Sequence, residues 1–564
     1  MKKLIYTKGT EFEQNGYDLA IIDTNFREGK PIMLKSKDLD LAILNGDQAA
    51  LDRIEIEDTK TPTVDVGVNY TEYHENNSPK TAEVVGYESL PTLSISGILG
   101  ETITKLVVDP SIKEVDKDMT FSGTNIEEID LGGEKTFTKS SHSTYGTASY
   151  GIFSGCPNLK RIIGKVKLGR MYGNVFSGCK KLTDVDFSSG GYIYGYMFNN
   201  CESLNWTELP SHINHIGYYD PNGSSMDDHC FYNCKELALT EIPERVSYVL
   251  TGTSSSIGNY NFANCTKLAL KKLPKSWVTL SDYMFQNCPS LQLTDLTQCK
   301  WMGAYCFSNC TGLKELKLGL QTGFREFRNT FDGCTGLEKV IFDPEISNIT
   351  YIGEYVFQNC TSLKEISLPP TVTSILSYSF NGCSSLETIN NADNVVTLSN
   401  YCFQNAGLKD VSFTKNVTSI GAYAFKGCAN LKSIDLSSIT TLTNYGVFSG
   451  CTSLKKLVLP NIQKFGSTSS TSSNSIFYQG ALKAVWMGSS LTTLNNYSFL
   501  GVTSTLKKIY IDLPRATVES WSSYKYCFTG TTSLSPAGVV VCNDDADFLS
   551  KEAFEAIDWD TYGE

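Results

Sequence analysis

The chain has 564 residues, of which 41% are hydrophobic and only 19% are charged, a composition typical of an ordered protein. Its formal net charge is −12 and it has no run rich in lysine and arginine, so a nucleic-acid partner is disfavoured. We expect neither membrane insertion nor a signal peptide, because no apolar stretch approaches the roughly 18 residues that span a bilayer and too few apolar residues follow Lys2 and Lys3.

Residues 1–83 lack the phrase that repeats through most of the chain. Apolar residues in 37–54 recur at near-helical spacing, while the rest of this segment favours short strands and turns. The pattern predicts a small N-terminal α+β domain that caps or anchors the repeats.

Residues 84–535 repeat the phrase Phe-x-x-Cys-x-x-Leu-x-x-Leu/Ile-x-Leu, mostly every 22 to 26 residues. This period predicts a solenoid, whose units stack on one another. The late part alternates as a half-buried strand does, and a second extended phrase precedes the phenylalanine. The turn between them completes the unit. Sixteen phenylalanines mark the repeats and Phe528 marks a degenerate seventeenth; the sixteen are Phe121, Phe153, Phe176, Phe198, Phe231, Phe262, Phe285, Phe307, Phe331, Phe357, Phe380, Phe403, Phe425, Phe448, Phe477 and Phe499.

Twelve of the eighteen cysteines stand three residues after a repeat phenylalanine: Cys156, Cys179, Cys201, Cys234, Cys265, Cys288, Cys310, Cys334, Cys360, Cys383, Cys428 and Cys451. Equivalent positions in successive coils form a column rather than a cage, and Ala406 and Gly480 interrupt it. We therefore predict reduced, buried thiols rather than disulfides or metal ligands.

The fuller phrase I-G-x-Y-x-F-x-x-C-x-x-L-x-x-I-x-L, at 352–368 and 420–436, resembles the BspA-type leucine-rich repeat. The resemblance extends over roughly residues 84–535. It implies a leucine-rich-repeat solenoid, a curved ribbon of about 16–17 repeats with a ladder of short parallel strands. Such repeats are common on bacterial surface proteins that bind host proteins or other cells.

A second column, two positions before the phenylalanine, holds tyrosine: Tyr196, Tyr260, Tyr283, Tyr305, Tyr355, Tyr378, Tyr401, Tyr423, Tyr497 and Tyr526. Stacked in register, these residues predict a ladder along one flank, which would suit recognition of a protein or glycan. Packing alone also explains tyrosine at this position. The candidate contact residues are Tyr283, Tyr305, Tyr355, Tyr378, Tyr401 and Tyr423.

The outward positions of the late phrase form a second candidate surface, because repeat proteins generally dock partners on such ladders. Its mixed, mildly acidic side chains suit a protein or a glycan, and they are equally compatible with simple solvation. The candidates here are Glu315, Lys317, Glu365, Asp410 and Asp435.

His212, His215 and His229 lie in one enlarged repeat, close to several aspartates. A zinc site and an inserted polar loop both fit this composition, and we predict the loop, with no metal or cofactor. No nucleophile elbow, phosphate-binding loop or zinc-protease motif is present, so no enzyme is predicted. A glycosidase pair of carboxylates needs no motif and stays open.

Two further segments stand out. Residues 536–564 are predicted to form a C-terminal cap with a short helix, for which Ser550 is the N-cap, shielding the open end of the stack. Residues 466–474 are predicted to be a flexible loop between coils.

Together these features predict a non-enzymatic recognition or adhesion protein, which binds a protein or glycan on a cell or mucosal surface. Without a signal peptide, the expected setting is a bacteriophage virion, where the chain is a fibre or decoration protein docked to a virion partner through residues 1–83. A bacterial cell-surface adhesin is the alternative setting. A glycan-active enzyme on a solenoid scaffold is the alternative function.

Overall fold

The computed structural model describes residues 2–6, 17–23, 31–35, 67–73, 79–85, 103–110, 114–115, 123–137, 153–168, 174–189, 191–217, 229–247, 259–321, 328–471, 474–500, 502, 505–527 and 536–562. The chain divides into two compact units. Unit 1 is Met1–Ala238 with Thr251–Cys265, and unit 2 is Leu239–Leu250 with Thr266–Glu564. No helix in the described ranges is long and apolar enough to cross a bilayer.

The strands of unit 1 are β1 Lys2–Tyr6, β2 Tyr17–Asp23, β3 Pro31–Lys35, β4 Gly67–Tyr73, β5 Pro79–Val85, β6 Lys105–Val108, β7 Glu114–Val115, β8 Glu128–Phe137, β9 Arg161–Leu168, β10 Phe187–Ser189, β11 Tyr192–Ile193 and β12 His215–Ile216. Strands β1 to β3 form an antiparallel sheet. Strand β4 pairs antiparallel with β5, and β5 then starts a parallel ladder through β6, β8, β9 and β10. The predicted domain boundary after residue 83 falls inside β5. The predicted helix at 37–54 lies outside the described residues, so the α+β domain stays a prediction.

The strands of unit 2 are β13 Thr279–Leu280, β14 Asp295–Leu296, β15 Trp301–Met302, β16 Glu315–Leu318, β17 Lys339–Phe342, β18 Tyr351–Ile352, β19 Glu365–Ser367, β20 Ser374–Ile375, β21 Thr388–Asn390, β22 Thr397–Leu398, β23 Asp410–Val411, β24 Ser419–Ile420, β25 Ser433–Ile434, β26 Thr441–Leu442, β27 Lys456–Leu459, β28 Lys464–Phe465, β29 Ala484–Met487, β30 Thr493–Leu494, β31 Lys508–Ile511 and β32 Val540–Cys542. They form two kinds of parallel ladder. The late phrase supplies one, such as β14-β16-β17-β19-β21, and the phrase before the phenylalanine supplies the other, such as β18-β20-β22-β24.

Each coil follows directly from its apolar pattern. In β16 the burial alternates, with Glu315 and Lys317 exposed and the leucines between them buried. A tight turn closes the coil at the phenylalanine, where the Cys428 N–H donates to the Phe425 carbonyl over 3.1 Å. The second extended phrase is shorter than the sequence predicts, because β24 ends at Ile420 and residues 421–427 already belong to the turn.

The repeat phenylalanines stack into continuous columns. In unit 1 the column is Phe153, Phe176, Phe198, Phe231 and Phe262, with ring centroids 5.3–5.5 Å apart. In unit 2 the column is Phe285, Phe307, Phe331, Phe357, Phe380, Phe403, Phe425, Phe448 and Phe477, with centroids 5.3–5.9 Å apart. These rings are at most 1% exposed, and burying each contributes roughly 1.5–3 kcal/mol. The stacked parallel coils confirm the predicted solenoid. Phe121 and Phe528 lie outside the described residues.

The cysteines form a second internal column. All eighteen are buried and unbridged, which confirms the predicted reduced thiols. In ten coils the Sγ–H donates over 2.9–3.2 Å to the carbonyl of the phenylalanine in the preceding coil; the donors are Cys179, Cys201, Cys234, Cys265, Cys310, Cys334, Cys360, Cys383, Cys428 and Cys451. Burial raises the pKa of nine of these ten thiols, all but Cys265, and to about 12 for Cys334 and Cys428, so the nine stay protonated at neutral pH.

In the part of the chain that the structure describes, three short α-helices occur near the C-terminus, α1 Arg515–Glu519, α2 Pro536–Val539 and α3 Lys551–Ala556, besides 3₁₀ turns at Ser412–Asn416 and Tyr524–Tyr526. The Ser550 side chain accepts the Ala553 N–H over 3.3 Å, which confirms the predicted N-cap of α3. Helix α3 covers the outward face of the last strands, whereas β32 continues the ladder beyond β31. The sequence predicts that this helix shields the end of the stack, whereas its apolar contacts lie on the outward face of the last strands.

Apolar side chains explain where the C-terminal segment lies. Ala484, Trp486, Tyr510 and Val541, which all occupy outward positions of the last strands, form one buried cluster with Phe554 and Trp559. Lysines and an indole complete the contact: Lys456 Nζ donates to the Glu555 carbonyl at 2.6 Å, Lys483 Nζ to the Asp560 carbonyl at 2.8 Å, and Trp486 Nε1 to the Leu549 carbonyl at 3.0 Å.

Candidate functional site

The predicted tyrosine ladder is present in unit 2 as two stacked blocks. Tyr283 and Tyr305 have centroids 4.9 Å apart, and Tyr355, Tyr378, Tyr401 and Tyr423 follow one another at 4.7–4.9 Å with planes within 14°. All six side chains are half-buried. We call these six residues the tyrosine edge.

The ring faces of the tyrosine edge are largely covered. Tyr378 and Tyr401 each have a ring on both sides. At the end of the second block the backbone of Gly446 lies against Tyr423, since a Cβ there would come within 2.3 Å of the ring. The surface therefore offers ring edges and hydroxyls rather than faces. Burial raises the pKa of Tyr378 and Tyr401, so both hydroxyls remain hydrogen-bond donors at neutral pH.

The backbone at this position is left-handed, with φ between 55° and 60° for all six tyrosines. The same position in other coils is filled by Asn174, His229, Asn329 and Gly446, also at positive φ. Asparagine, histidine and glycine are among the residues that tolerate this conformation best. The sequence analysis did not predict this left-handed backbone, although the asparagine, histidine and glycine at the same position in other coils indicate it.

Polar side chains run beside the tyrosine edge, at the position after each repeat phenylalanine. Lys426 Nζ lies 5.3 Å from the Tyr423 ring centroid, which places this position next to the tyrosine of its own coil. Gln358, Asn381 and Gln404 occupy it in the preceding coils and are half-buried. The Asn381 Nδ2 donates to Gln358 Oε1 over 3.5 Å, so the amides also touch across coils.

The charged strand-face candidates are partly used within the protein. Glu365 forms an ion pair with Lys339 of the preceding coil. Asp435 Oδ1 accepts the Ser437 N–H over 2.9 Å and so helps to end its strand in a turn. Glu315, Lys317 and Asp410 are exposed on β16 and β23.

Charge on this strand face is also compensated between coils. The Glu338–Lys364 pair at 2.8 Å and the Glu387–Lys409 pair at 2.7 Å each join successive coils. Exposed pairs of this kind add little stability, but each neutralises two charges on the surface.

Two histidines of the enlarged repeat, His215 and His229, act as stacking rings in unit 1. His229 lies between Tyr196 and Tyr260 with centroids 4.7 and 4.8 Å away, so it is a member of the tyrosine column. His215 stacks on Tyr192 at 4.4 Å and its Nδ1 contacts Asn214. Burial lowers the pKa of His215 and His229. Among the described residues no group of three or more histidine, cysteine or acidic side chains could hold a metal ion.

The loop predicted at 466–474 lies against the end of the tyrosine edge. The Tyr423 hydroxyl donates to Asn474 Oδ1 over 2.7 Å, and the Asn474 amide donates to Ser469 over 3.1 Å. Ser467 is fully buried. The described part of this loop is therefore tied to the solenoid by specific contacts, which its serine-rich sequence did not indicate.

Comparison with solved structures finds weak likenesses only. The chain resembles solved leucine-rich repeat proteins: one from Bacteroides ovatus at 22% identity (71% of this chain, 95% of that one, TM-score 0.35), a cell surface protein from Faecalibacterium prausnitzii at 17% (83% and 99%, 0.28), and the pneumococcal vaccine antigen PcpA at 14% (85% and 97%, 0.34). TM-scores this low carry no argument about fold or function. No curated protein matches the chain.

The comparison with family models identifies the family of the chain, which the weak structural likenesses do not. The model of the BspA type leucine rich repeat region, which comprises six copies, matches residues 117–246, 224–351, 350–474 and 443–556, which is well over half of the chain. The repeated phrase, the stacked phenylalanines and the parallel ladders agree with that match. The chain belongs to the BspA type leucine-rich repeat family.

Proposed function

We propose that this chain is a non-enzymatic recognition protein that binds a protein partner through the tyrosine edge and the amides beside it. The observation that carries the proposal is a half-buried row of phenol edges and hydroxyls, held at 4.7–4.9 Å intervals on a rigid stack. Tyrosine is enriched at the centres of protein interfaces because it combines apolar area with a hydrogen-bonding tip.

Stability alone does not account for tyrosine at this position. A left-handed backbone costs a side-chain-bearing residue roughly 1–2 kcal/mol, and an aromatic pair returns about 0.5–1.5 kcal/mol. The two contributions nearly cancel. Asn174 and Gly446 adopt the same conformation without an aromatic ring, so the coil does not require tyrosine. A role in contact with a partner supplies the missing reason.

The exposed chemistry favours a protein over a glycan. A sugar usually stacks on an open aromatic face, but the faces of Tyr378 and Tyr401 are covered by neighbouring rings. Hydroxyls and amides such as Gln358 and Gln404 instead match the mixed donors and acceptors of a protein surface. The glycan ligand is accordingly the second choice.

The setting stays a prediction. A virion partner docked through residues 1–83 and a bacterial cell surface both remain compatible with a recognition solenoid. Mass spectrometry of purified phage particles and of cell-surface fractions would separate the two settings, because the chain should be enriched in only one of them.

Binding assays with matched variants test the contact surface. The probes are immobilised fibronectin, laminin and mucin, and a cultured epithelial monolayer. The double variant Tyr378→Phe/Tyr401→Phe keeps both ring stacks and removes two hydroxyls. We expect it to weaken binding about tenfold or more, since each lost hydrogen bond is worth about 0.5–1.5 kcal/mol.

The matched control is Glu315→Gln/Lys317→Gln on the exposed strand β16, which should bind as the parent does. Loss of binding in this control, with none in the tyrosine variant, would move the contact surface to the strand face. New reducing ends released from mucin would instead establish the enzymatic alternative.

A further inference from the structure

The tyrosine edge is interrupted at one coil of unit 2. Asn329 occupies the tyrosine position between Tyr305 and Tyr355. The phenylalanine column is regular there, with Phe331 stacked 5.5 Å from Phe307 and 5.5 Å from Phe357. Tyr305 and Tyr355 therefore stand two coil steps apart, and no ring of a described residue stacks between them. Each has its other face covered, by Tyr283 and Tyr378 respectively.

Asn329 places an unpaired acceptor at this interruption. Its φ of 52° matches that of the tyrosines, so its Cβ leaves the backbone in the same direction and its short side chain ends near where a ring would begin. It is only 6% exposed. The Asn329 Oδ1 is buried without a hydrogen-bond partner, an arrangement that native proteins seldom leave unexplained.

A weakly held side chain lies beside the interruption. The Arg328 guanidinium lies over the Tyr355 ring, 5.7 Å from its centroid. Its side chain is 46% exposed, and its Nε is 3.9 Å from Glu354 Oε2, at the limit of an ion pair. An exposed pair of this kind holds a side chain weakly. An entering ring can displace the guanidinium or stack beneath it.

We propose that these residues, Tyr305, Arg328, Asn329 and Tyr355, form a ring slot that receives the indole or phenol side chain of a tryptophan or tyrosine on a partner protein. The inserted ring restores the stack, and its N–H or O–H donates to Asn329 Oδ1. The inference rests on the proposed function, because it names the anchor residue that the protein partner would supply. An aliphatic side chain would neither stack nor donate.

Small-molecule probes test the slot in the full chain. Saturation-transfer NMR is recorded with N-acetyl-tryptophanamide, its 1-methylindole analogue and N-acetyl-leucinamide. We expect the first probe to bind with a dissociation constant on the order of 1 mM, typical of a fragment-sized ligand. The methylated analogue should bind about three- to tenfold more weakly because it lacks the N–H donor, and the leucinamide should give no signal.

Variants locate the signal. Asn329→Tyr fills the slot with the chain's own ring and should abolish binding of the tryptophan probe. Asn405→Tyr is the matched control, because Asn405 is also left-handed, with φ 58°, but is exposed in another column; it should bind as the parent does. Asn329→Gly keeps the backbone and both walls, and it should weaken binding about three- to tenfold through loss of the acceptor.

Unchanged binding in both Asn329→Tyr and Asn329→Gly, or no binding of N-acetyl-tryptophanamide by the parent, overturns the proposal. Failure of the slot is distinguishable from failure of the proposed function. Adhesion that depends on Tyr378 and Tyr401 without probe binding rejects the slot alone. Probe binding without adhesion to any surface rejects the proposed function alone.

Discussion

The tyrosine position shows how a single backbone angle decides which residues a coil accepts. At φ near 58° a Cβ is unfavourable, yet Tyr401 keeps one and gains a ring on each side. Its contribution to stability is therefore a small difference between strain and stacking. Because of this balance, the stability of a variant at this position depends on backbone strain as well as on the lost ring contacts.

We predict that Tyr401→Gly is more stable than Tyr401→Ala by about 1 kcal/mol. Both variants lose the stacks, but only alanine keeps the strained Cβ. Thermal and denaturant unfolding of the two variants measure the difference. Tyr351, in strand β18, is the matched control, because there alanine should be the more stable replacement. An alanine variant at 401 as stable as the glycine variant would contradict the strain argument.

The sequence predicts some of the side-chain columns better than others. The Phe357 and Cys360 columns follow from the period, because equivalent positions in stacked coils must meet. The second role of the thiol, donation to the Phe331 carbonyl, needed coordinates, since nothing in the spacing fixes where Sγ points. The left-handed conformation was readable only by comparing Asn174, His229 and Gly446 with the tyrosines they replace.

At the scale of elements, the C-terminal segment illustrates how an outward strand face is matched to its cover. Polar outward residues such as Glu315 on β16 give way to Trp486 on β29 and Tyr510 on β31, where α3 lies. The helix and its N-cap were predicted from sequence, but its docking position was not, because period-2 alternation does not say which exposed face another segment covers. The change from charged to aromatic outward residues was the available signal.

We predict that Phe554→Ala releases the C-terminal segment while the solenoid stays folded. Phe554 is fully buried in the cluster with Trp486 and Trp559, and such a truncation costs about 3–5 kcal/mol. Hydrogen exchange should show lost protection in 548–562, while the ladder strand β29 stays protected. Glu555→Ala, on the exposed side of α3, should change stability by less than about 0.5 kcal/mol. Equal protection in the two variants would argue against docking through the cluster.

At the scale of the whole molecule, the energetics of unit 2 are those of a linear stack, in which each coil touches only its neighbours. We predict that Phe357→Ala destabilises by about 3–5 kcal/mol, with the loss concentrated in the adjoining coils. Hydrogen exchange should rise at 331–383 and change little at 477–511. A uniform rise across unit 2 would contradict nearest-neighbour coupling.

Alkaline pH should destabilise the entire stack through its thiols. Burial raises their pKa in the folded state, so their contribution is complete below the unfolded value near 8.5 and is lost as the pH rises toward about 12, the value for Cys334 and Cys428. Each thiol then costs about 1.4 kcal/mol per pH unit. Thermal midpoints should be nearly level from pH 7 to 7.5 and fall by pH 9, where only about a tenth of unperturbed tyrosine is ionised. A level midpoint across that range would be inconsistent with buried thiols.

The sulfur-to-carbonyl link between successive coils has a practical consequence. Because most coils contain one shielded thiol, the rate at which each cysteine is alkylated reports how often its coil opens. A coil that separates from its neighbour exposes its sulfur and is labelled, whereas intact coils stay unreactive. Peptide mapping after timed exposure to iodoacetamide would give the order in which Cys179 through Cys451 become accessible, and hence which coils separate first.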